Sequence, residues 1–284
     1  MDFSHLPTDY FAKSTQFTKE LYYDVYPSVE PSTALLSQRG KGIAMSFAKA
    51  KASVLILAGR NKQDLMSAAA EIHAVAPEVQ TDIRVIDISN EAQVKSAFFD
   101  LKGAYPRIDI LINNAGSGDS PLPIVEVEVE RWWYNFEVMV KGTFLMTQQF
   151  LQLNGTASEV IIINITSAAA LTSTPRLSSY SVSKLCQIQL QSFVRAENPN
   201  VRAISLHPGI VMTRMTPPAF HRFARDTFEL VGGVAVWLAS KQAAFMNGRY
   251  ISVNWSVDEL LERKEEIISN GLLEVGLQGK FGRF

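Results

Sequence analysis

The stretch Val160-Ile161-Ile162-Ile163-Asn164-Ile165-Thr166-Ser167 decides the fold. Its first six residues are almost unbroken in apolar character, have the length of a strand, and give way at once to polar residues. Residues 178–197 then read as a helix, and Val201-Arg202-Ala203-Ile204-Ser205-Leu206 as a second strand. A strand, a helical crossover and another strand make a parallel pair. A strand that is apolar at consecutive positions has no wet face, so helices must cover both sides of the sheet. The same alternation runs outward in both directions. Strands are predicted at 53–58, 83–86, 108–112 and 249–253. Helices are predicted at 42–50, 62–75, 90–101, 129–151, 230–239 and 257–268. Asn61 caps the 62–75 helix and Pro77 closes it. The pattern is that of an α/β protein with a doubly wound parallel sheet. Such sheets bind ligands at the carboxyl ends of their strands, so chemistry is sought just after each strand.

Composition narrows the function. The 284 residues are 47% hydrophobic and 19% charged, which supplies a large core and excludes a wholly disordered chain. Lysine and arginine number 27 against 28 aspartates and glutamates, a formal net charge of -1. No global attraction to nucleic acid or to an anionic membrane follows. Cys186 is the sole cysteine, so no intrachain disulfide forms and a reducing compartment is expected. His5, His73, His207 and His221 lack paired ligand spacing, and no metal site is expected. No run approaches the roughly 18 apolar residues of a membrane span. Residues 1–10, with Asp2, His5, Pro7 and Asp9, lack the basic start and apolar centre of a secretion signal. The expectation is a soluble, cytoplasmic protein with no nucleic-acid or membrane partner.

Residues 1–38 stand apart. Phe3, Tyr10, Phe11, Phe17, Tyr22, Tyr23 and Tyr26 sit among Ser, Thr and Pro without a helical or strand period. They are expected to form an arm that lays its aromatics on the body or on a partner subunit. Residues 39–284 are expected to form one domain that ends in a charged helical tail.

Three polar side chains follow the deciding strand. Tyr180 and Lys184 are four apart and share one helix face. A free tyrosine, with a pKa of about 10, is a poor acid at neutral pH. A neighbouring ammonium favours the phenolate and makes it a better one. Ser167, thirteen residues before Tyr180, is placed to donate a hydrogen bond to a substrate oxygen. Together they supply a proton donor, its electrostatic tuner and a positioning group.

Asn113-Asn114-Ala115-Gly116 after a strand, Ser167, the Tyr180-Ser181-Val182-Ser183-Lys184 segment and Pro208-Gly209-Ile210-Val211-Met212-Thr213 together resemble the short-chain dehydrogenase/reductase family. Order and spacing match over about residues 42–255. Asn247-Gly248-Arg249-Tyr250, then Asn254-Trp255-Ser256-Val257-Asp258-Glu259-Leu260, and the arm are similar to the fungal branch that serves natural-product pathways. The resemblance implies a Rossmann-type sheet and NAD(P)-dependent interconversion of a ketone and a secondary alcohol on a small-molecule substrate. It implies Tyr180 as proton donor, Lys184 as the residue that tunes it and binds the nicotinamide ribose, and Ser167 as the substrate-orienting hydroxyl. Asn114 matches the stretch lining the cofactor, Asp87 the adenine contact, and Val211 and Thr213 the nicotinamide-side loop. The family also implies a homo-oligomer, dimer or tetramer, built on helices matching 129–151 and 178–197. The 215–228 segment, with Pro217, Pro218, Phe220, Phe223 and Phe228, falls where the family places its substrate lid and points to an apolar or aromatic substrate. At the end of the 53–58 strand an acidic residue would bind a ribose hydroxyl. Gly59-Arg60-Asn61 stands there instead, and a guanidinium suits a 2′-phosphate, so NADP(H) is the expected cofactor. Plainer readings stand beside these: Asn113 and Asn114 tying strand ends together, Asp87 capping its turn, Arg60 solvated in a loop.

Two departures from the family pattern bear on activity. The family opens with an apolar strand, a Thr-Gly-x-x-x-Gly-x-Gly turn and a helix. Here the helix of residues 42–50 follows Leu36-Ser37-Gln38-Arg39-Gly40-Lys41, a lead-in that relatives place just before the first strand. The first strand and its glycine loop, about a dozen residues, are read as absent between Lys41 and Gly42. A gapless register, with Thr33 and Gly40 on the ends of the motif and Ala34 and Gln38 replacing glycines, fits worse, because Glu30 and Pro31 spoil the strand ahead of it. The second departure is Met139, where relatives carry an asparagine that bends the helix and holds a water beside the lysine. Two readings of function follow: an NADP(H)-dependent oxidoreductase, or a catalytically impaired relative that serves as a binding or assembly partner.

Overall fold

The computed structural model describes residues 3–30, 39–118, 121–157, 159–213 and 216–277. Its strands are β1 (Val54–Gly59), β2 (Gln80–Val85), β3 (Ile110–Asn113), β4 (Val160–Ile165), β5 (Val201–His207) and β6 (Tyr250–Ser252). The helices are α1 (Tyr10–Ser14), α2 (Arg39–Lys49), α3 (Lys62–Val75), α4 (Glu91–Ala104), α5 (Val129–Phe136), α6 (Gly142–Asn154), α7 (Ser178–Glu197), α8 (Phe228–Ala239), α9 (Val257–Glu262) and α10 (Lys264–Ser269). Asn61 and Asn90 cap α3 and α4 by accepting from backbone N–H groups of the first turn.

Every strand pairing is parallel. β1 pairs with β2 in one sheet, and β3-β4-β5-β6 form another. A continuous doubly wound sheet runs in the order 3-2-1-4-5-6. Here β2 and β1 take the 3-2 places, and β3 opens the run from place 4. Among the described residues no strand joins β1 to β3. Burial follows the pairing. β4, paired on both edges, is buried at all positions but Ile161. In β1, Val54, Leu55, Ile56 and Leu57 are only half-buried and Ala58 is exposed.

Helix α2 corrects one expectation. Arg39-Gly40-Lys41 is not a lead-in to a strand but the first turn of the helix itself. Lys41, in that turn, forms an ion pair with Glu71 of α3. Residues 31–38, which carry Thr33, Ala34 and the Leu36-Ser37-Gln38 lead-in, lie outside the described residues, as does Met215 of the lid segment. Small residues let α2 approach α8. A Cβ on Gly42 would lie 2.8 Å from Phe228 Cβ, and Ser46 occupies the space that a side chain on Gly232 would need.

Alternate residues of β4 feed opposite cores. Ile163 and Ile165 pack with Ile204, Leu206, Leu230 and Val234 beneath α8. Val160 and Ile162 pack with Leu111, Val94, Phe98 and Phe150 beneath α4 and α6. Met45, Ala48, Ile72 and Val79 close a third cluster over Leu55 and Leu57 of β1. The stretch expected as one helix over 129–151 is continuous but contains a π-helical turn at Glu137–Lys141. The tail divides at Arg263, whose guanidinium lies 3.8 Å from the Phe17 ring and donates to the Phe17 carbonyl.

The arm lies on the body of the same chain. Leu21 bridges antiparallel to Trp255, Tyr22 N–H donates to the Asn254 carbonyl, and Val257 N–H donates to the Tyr26 hydroxyl. Phe3 and Phe11 pack against Phe220 and Phe223 of the lid segment. No helix among the described residues is long and apolar enough to cross a membrane. No group of three or more His, Cys, Asp or Glu among them is placed to hold a metal.

Candidate active site

β4 ends at Ile165 and delivers Ser167 in extended backbone, φ -158° and ψ 150°. Its oxygen accepts from Ala169 N–H at 3.2 Å, capping a short turn. That bond uses a lone pair and leaves the hydroxyl proton for a ligand. α7 then begins, placing Tyr180, half-buried, in its first turn and Lys184, 4% exposed, one turn on. Lys184 Nζ lies 5.9 Å from the centroid of the Tyr180 ring. It donates to the Ile165 carbonyl at 2.7 Å and to Gln187 Oε1 at 3.0 Å. A buried ammonium needs such acceptors to remain charged.

Asn113 and Asn164 face each other in the β3–β4 register. Asn113 Nδ2 donates to Asn164 Oδ1 at 2.8 Å, so Asn113 does tie strand ends. Asn114, the next residue, is half-buried beside the first turn of α2: a Cβ on Gly40 would fall 2.8 Å from its Nδ2.

Arg60 and Asp87 follow β1 and β2. Arg60, exposed just past β1, donates to the Tyr134 hydroxyl at 3.1 Å. That bond, with Asp87 contributing, holds the guanidinium pKa above its ordinary value. Asp87 Oδ1 accepts from Ser89 Oγ at 2.7 Å and Ser89 N–H at 2.9 Å, which holds the carboxyl below the usual range. Asp87 therefore caps its own turn while lying within electrostatic reach of Arg60.

After β5 the chain turns at Gly209, φ +66°, where a side chain would run into the Asp226 carboxylate. Asp226 accepts from Ile210 N–H at 2.5 Å and from Asn254 Nδ2 at 2.6 Å. Burial pushes its pKa up to about 6. This staple sets the path of the next residues, buried Val211 and half-buried Thr213. Thr213 N–H donates to Thr216 Oγ1, which in turn donates to the Val211 carbonyl.

Ser167, Tyr180 and Lys184 thus gather at the end of β4, with Asn114, Val211 and Thr213 beyond the neighbouring strands. Arg60 and Asp87 lie past β1 and β2, in the other sheet. Sequence reasoning overlooked Gln187 and Asp226. The signal for Gln187 is present: Tyr180, Lys184, Gln187 and Gln191 recur at i, i+4, i+7 and i+11, a polar stripe on a helix face that three of them bury. Asp226 carried no pattern of its own, because its partners come from distant segments.

Comparison with known proteins agrees with this geometry. The family described as short chain dehydrogenase matches residues 38–222. Short chain dehydrogenase citE of Monascus ruber is 33% identical over 94% of this chain and 99% of its own length. Short chain dehydrogenase andI of Emericella variicolor is 29% identical over 92% and 96%. Among solved structures, a short chain dehydrogenase from Bacillus anthracis superposes with a TM-score of 0.65 at 25% identity, covering 76% of this chain and 90% of its own. One from Escherichia coli, complexed with NADPH, superposes with a TM-score of 0.70 at 23% identity, covering 76% and 92%. The chain, an α/β protein with fungal relatives over more than nine-tenths of its length, belongs to the short-chain dehydrogenase/reductase family of oxidoreductases.

Proposed function

We propose that the chain is an NADP(H)-dependent oxidoreductase that interconverts a ketone and a secondary alcohol in fungal natural-product biosynthesis. The observation that carries this reading is the Tyr180–Lys184 pair on one face of α7, its ammonium buried 5.9 Å from the phenol ring at the end of β4. When bound, NADP(H) supplies or takes up the hydride at the carbinol carbon. In the reducing direction Tyr180 gives its proton to the substrate oxygen. Ser167 donates a hydrogen bond to the same oxygen and orients it. Lys184 stabilises the negative charge that develops on the phenol oxygen as the proton leaves.

The residues fit the dinucleotide at its two ends and not in its middle. Lys184, Tyr180, Asn114, Val211 and Thr213 suit the nicotinamide half. Arg60, drawn from Tyr134, suits a 2′-phosphate, and Asp87 lies beside it; a fold relative complexed with NADPH accords with that choice. Between them a glycine loop would present backbone N–H groups to the pyrophosphate. Here the first turn of α2 meets Asn114 directly, with Gly40 filling the approach. The rest of the proposal is a cytoplasmic homo-oligomer, dimer or tetramer, each subunit one domain of residues 39–284 with the 1–38 arm. Val129, Trp133, Phe144, Val182 and Phe193 leave exposed apolar surface on α5, α6 and α7 for subunit contact.

The division of the described strands into two sheets favours a second reading, a family member that keeps the fold but serves as a binding or assembly partner. Titration with NADPH, followed by the fluorescence of the four tryptophans, separates them. Saturable quenching, even at the weak affinity expected without a glycine turn, together with turnover of a ketone supports the enzyme. A flat titration supports the partner.

A further inference from the structure

We infer that Gln187 is a positioning residue, fixing the Lys184 ammonium beside Tyr180 by anchoring it to the π-helical turn that faces α7; this rests on the catalytic reading of Tyr180 and Lys184. Gln187 is 1% exposed and each end of its amide is used. Its Oε1 accepts from Lys184 Nζ at 3.0 Å. Its Nε2 donates to the Met139 carbonyl at 2.9 Å and to Thr143 Oγ1 at 2.7 Å. Met139 is fully buried and Thr143 is 1% exposed, so these bonds are shielded from bulk solvent. The Met139 carbonyl belongs to the π-helical turn Glu137–Lys141, where widened hydrogen bonding frees carbonyls for outside partners. Gln187 therefore connects a rigid site on one helix to a cation on another. Its own backbone is fixed too, because Asn164 Nδ2 of β4 donates to the Gln187 carbonyl at 3.3 Å.

The arrangement has a chemical direction. An amide carbonyl that accepts from the ammonium favours the charged form of the lysine. It also restrains a long, flexible side chain whose distance from Tyr180 sets its effect. From its own helix Tyr180 faces the ammonium, and from β4 the neutral Ile165 carbonyl does. On the π-helical turn, Glu137 and Lys141 pair with each other on the exposed side.

The test is an NMR titration of the lysine ε-carbons in the full chain, with Lys184→Met identifying the signal. It requires neither cofactor nor turnover. In Gln187→Met, which has similar bulk and no acceptor oxygen, the Lys184 midpoint falls by about one pH unit or more. In Gln187→Glu, which restores an acceptor, it returns to the original value or rises above it. Thr143→Val, which removes one anchor and little else, moves it the same way by less and serves if Gln187→Met does not fold. A Lys184 midpoint that stays put in Gln187→Met, or in Thr143→Val if that variant must serve, overturns the inference. Ketone reduction measured alongside separates the two claims. Turnover with an unmoved lysine leaves Lys184 and Tyr180 catalytic and removes Gln187 from the account. A moved lysine without turnover in any variant upholds the positioning and overturns the catalytic reading.

Discussion

Gly40, in the first turn of α2, lies so close to Asn114 at the end of β3 that a Cβ on the glycine would fall 2.8 Å from the amide nitrogen. In a doubly wound sheet a strand and a phosphate-binding turn separate these two places. The chain has closed one end of that gap with a helix terminus, and the consequences can be measured.

Tyr180→Phe should lower ketone reduction at least about a hundredfold, the usual scale for the loss of a general acid. Only one half-buried hydroxyl is removed, so the melting temperature should barely change. Turnover that survives the substitution would remove Tyr180 from the proposed role.

Arg60→Ala should weaken NADPH far more than NADH, because only NADPH carries the 2′-phosphate. A charge-assisted bond of roughly 1.5–3 kcal/mol corresponds to about a 10- to 150-fold loss. Tyr134→Phe should act in the opposite sense and more weakly, since it frees the guanidinium from its present partner. Equal losses for both nucleotides on Arg60→Ala would show that the residue does not read the phosphate.

The buried Asp226 sets a pH dependence whose sign is fixed. Its folded pKa, about 6, lies above the ordinary 3.8. The folded state therefore holds the proton more tightly, and the contribution to stability is complete below pH about 4 and lost as pH rises through about 6. The difference amounts to about 3 kcal/mol. Asp226→Asn cannot ionise. Urea unfolding at pH 4.5 and pH 7 should show a smaller loss across that interval than in the parent chain. An identical loss in both proteins would mean that Asp226 does not govern it.

The α2–α8 contact should be intolerant of a single methyl. In Gly232→Ala the new Cβ meets Ser46 and comes within 2.9 Å of the Gly42 carbonyl, neither of which can swing away freely. Overpacking of this kind costs about 1–3 kcal/mol. Gly103→Ala in α4, with open space around it, is the control and should be neutral or slightly stabilising. Thermal melts of the two variants check the contrast.

The sequence is most legible where one short-range pattern decides the outcome. α7 spans Ser178–Glu197 and α3 spans Lys62–Val75, the ranges that caps and periodicity predict. That no described strand joins β1 to β3 accords with a reading that comes from the family resemblance, which places an apolar strand and a glycine turn ahead of residues 42–50. What escaped depends on partners far apart in the chain. Arg263, where the tail divides, is bound to Phe17, and nothing near 263 announces that partner. The π-helical turn escaped because Met139 reads as the loss of the asparagine that bends this helix in relatives, yet the turn is present with methionine. Gln187, which holds the Met139 carbonyl, lies on the opposing helix. The start of α2 at Arg39 escaped because the lead-in was read by likeness to relatives that possess the strand.

Ser167, Tyr180 and Lys184 gather at the end of β4, while among the described residues no strand or glycine turn joins β1 to β3. The most direct measurement is the affinity of the unmodified chain for NADPH. It should be compared with a variant carrying an apolar strand and a Thr-Gly-x-x-x-Gly-x-Gly turn inserted between Lys41 and Gly42. Two missing amide bonds to a charged phosphate, each worth roughly 1.5–3 kcal/mol, cost at least about a hundredfold in affinity. The account predicts weak binding by the unmodified chain, and a joint rise in affinity and melting temperature in the variant. Micromolar binding by the unmodified chain, with a melting temperature that the insertion does not improve, would contradict it and show that another segment already does the work of the loop.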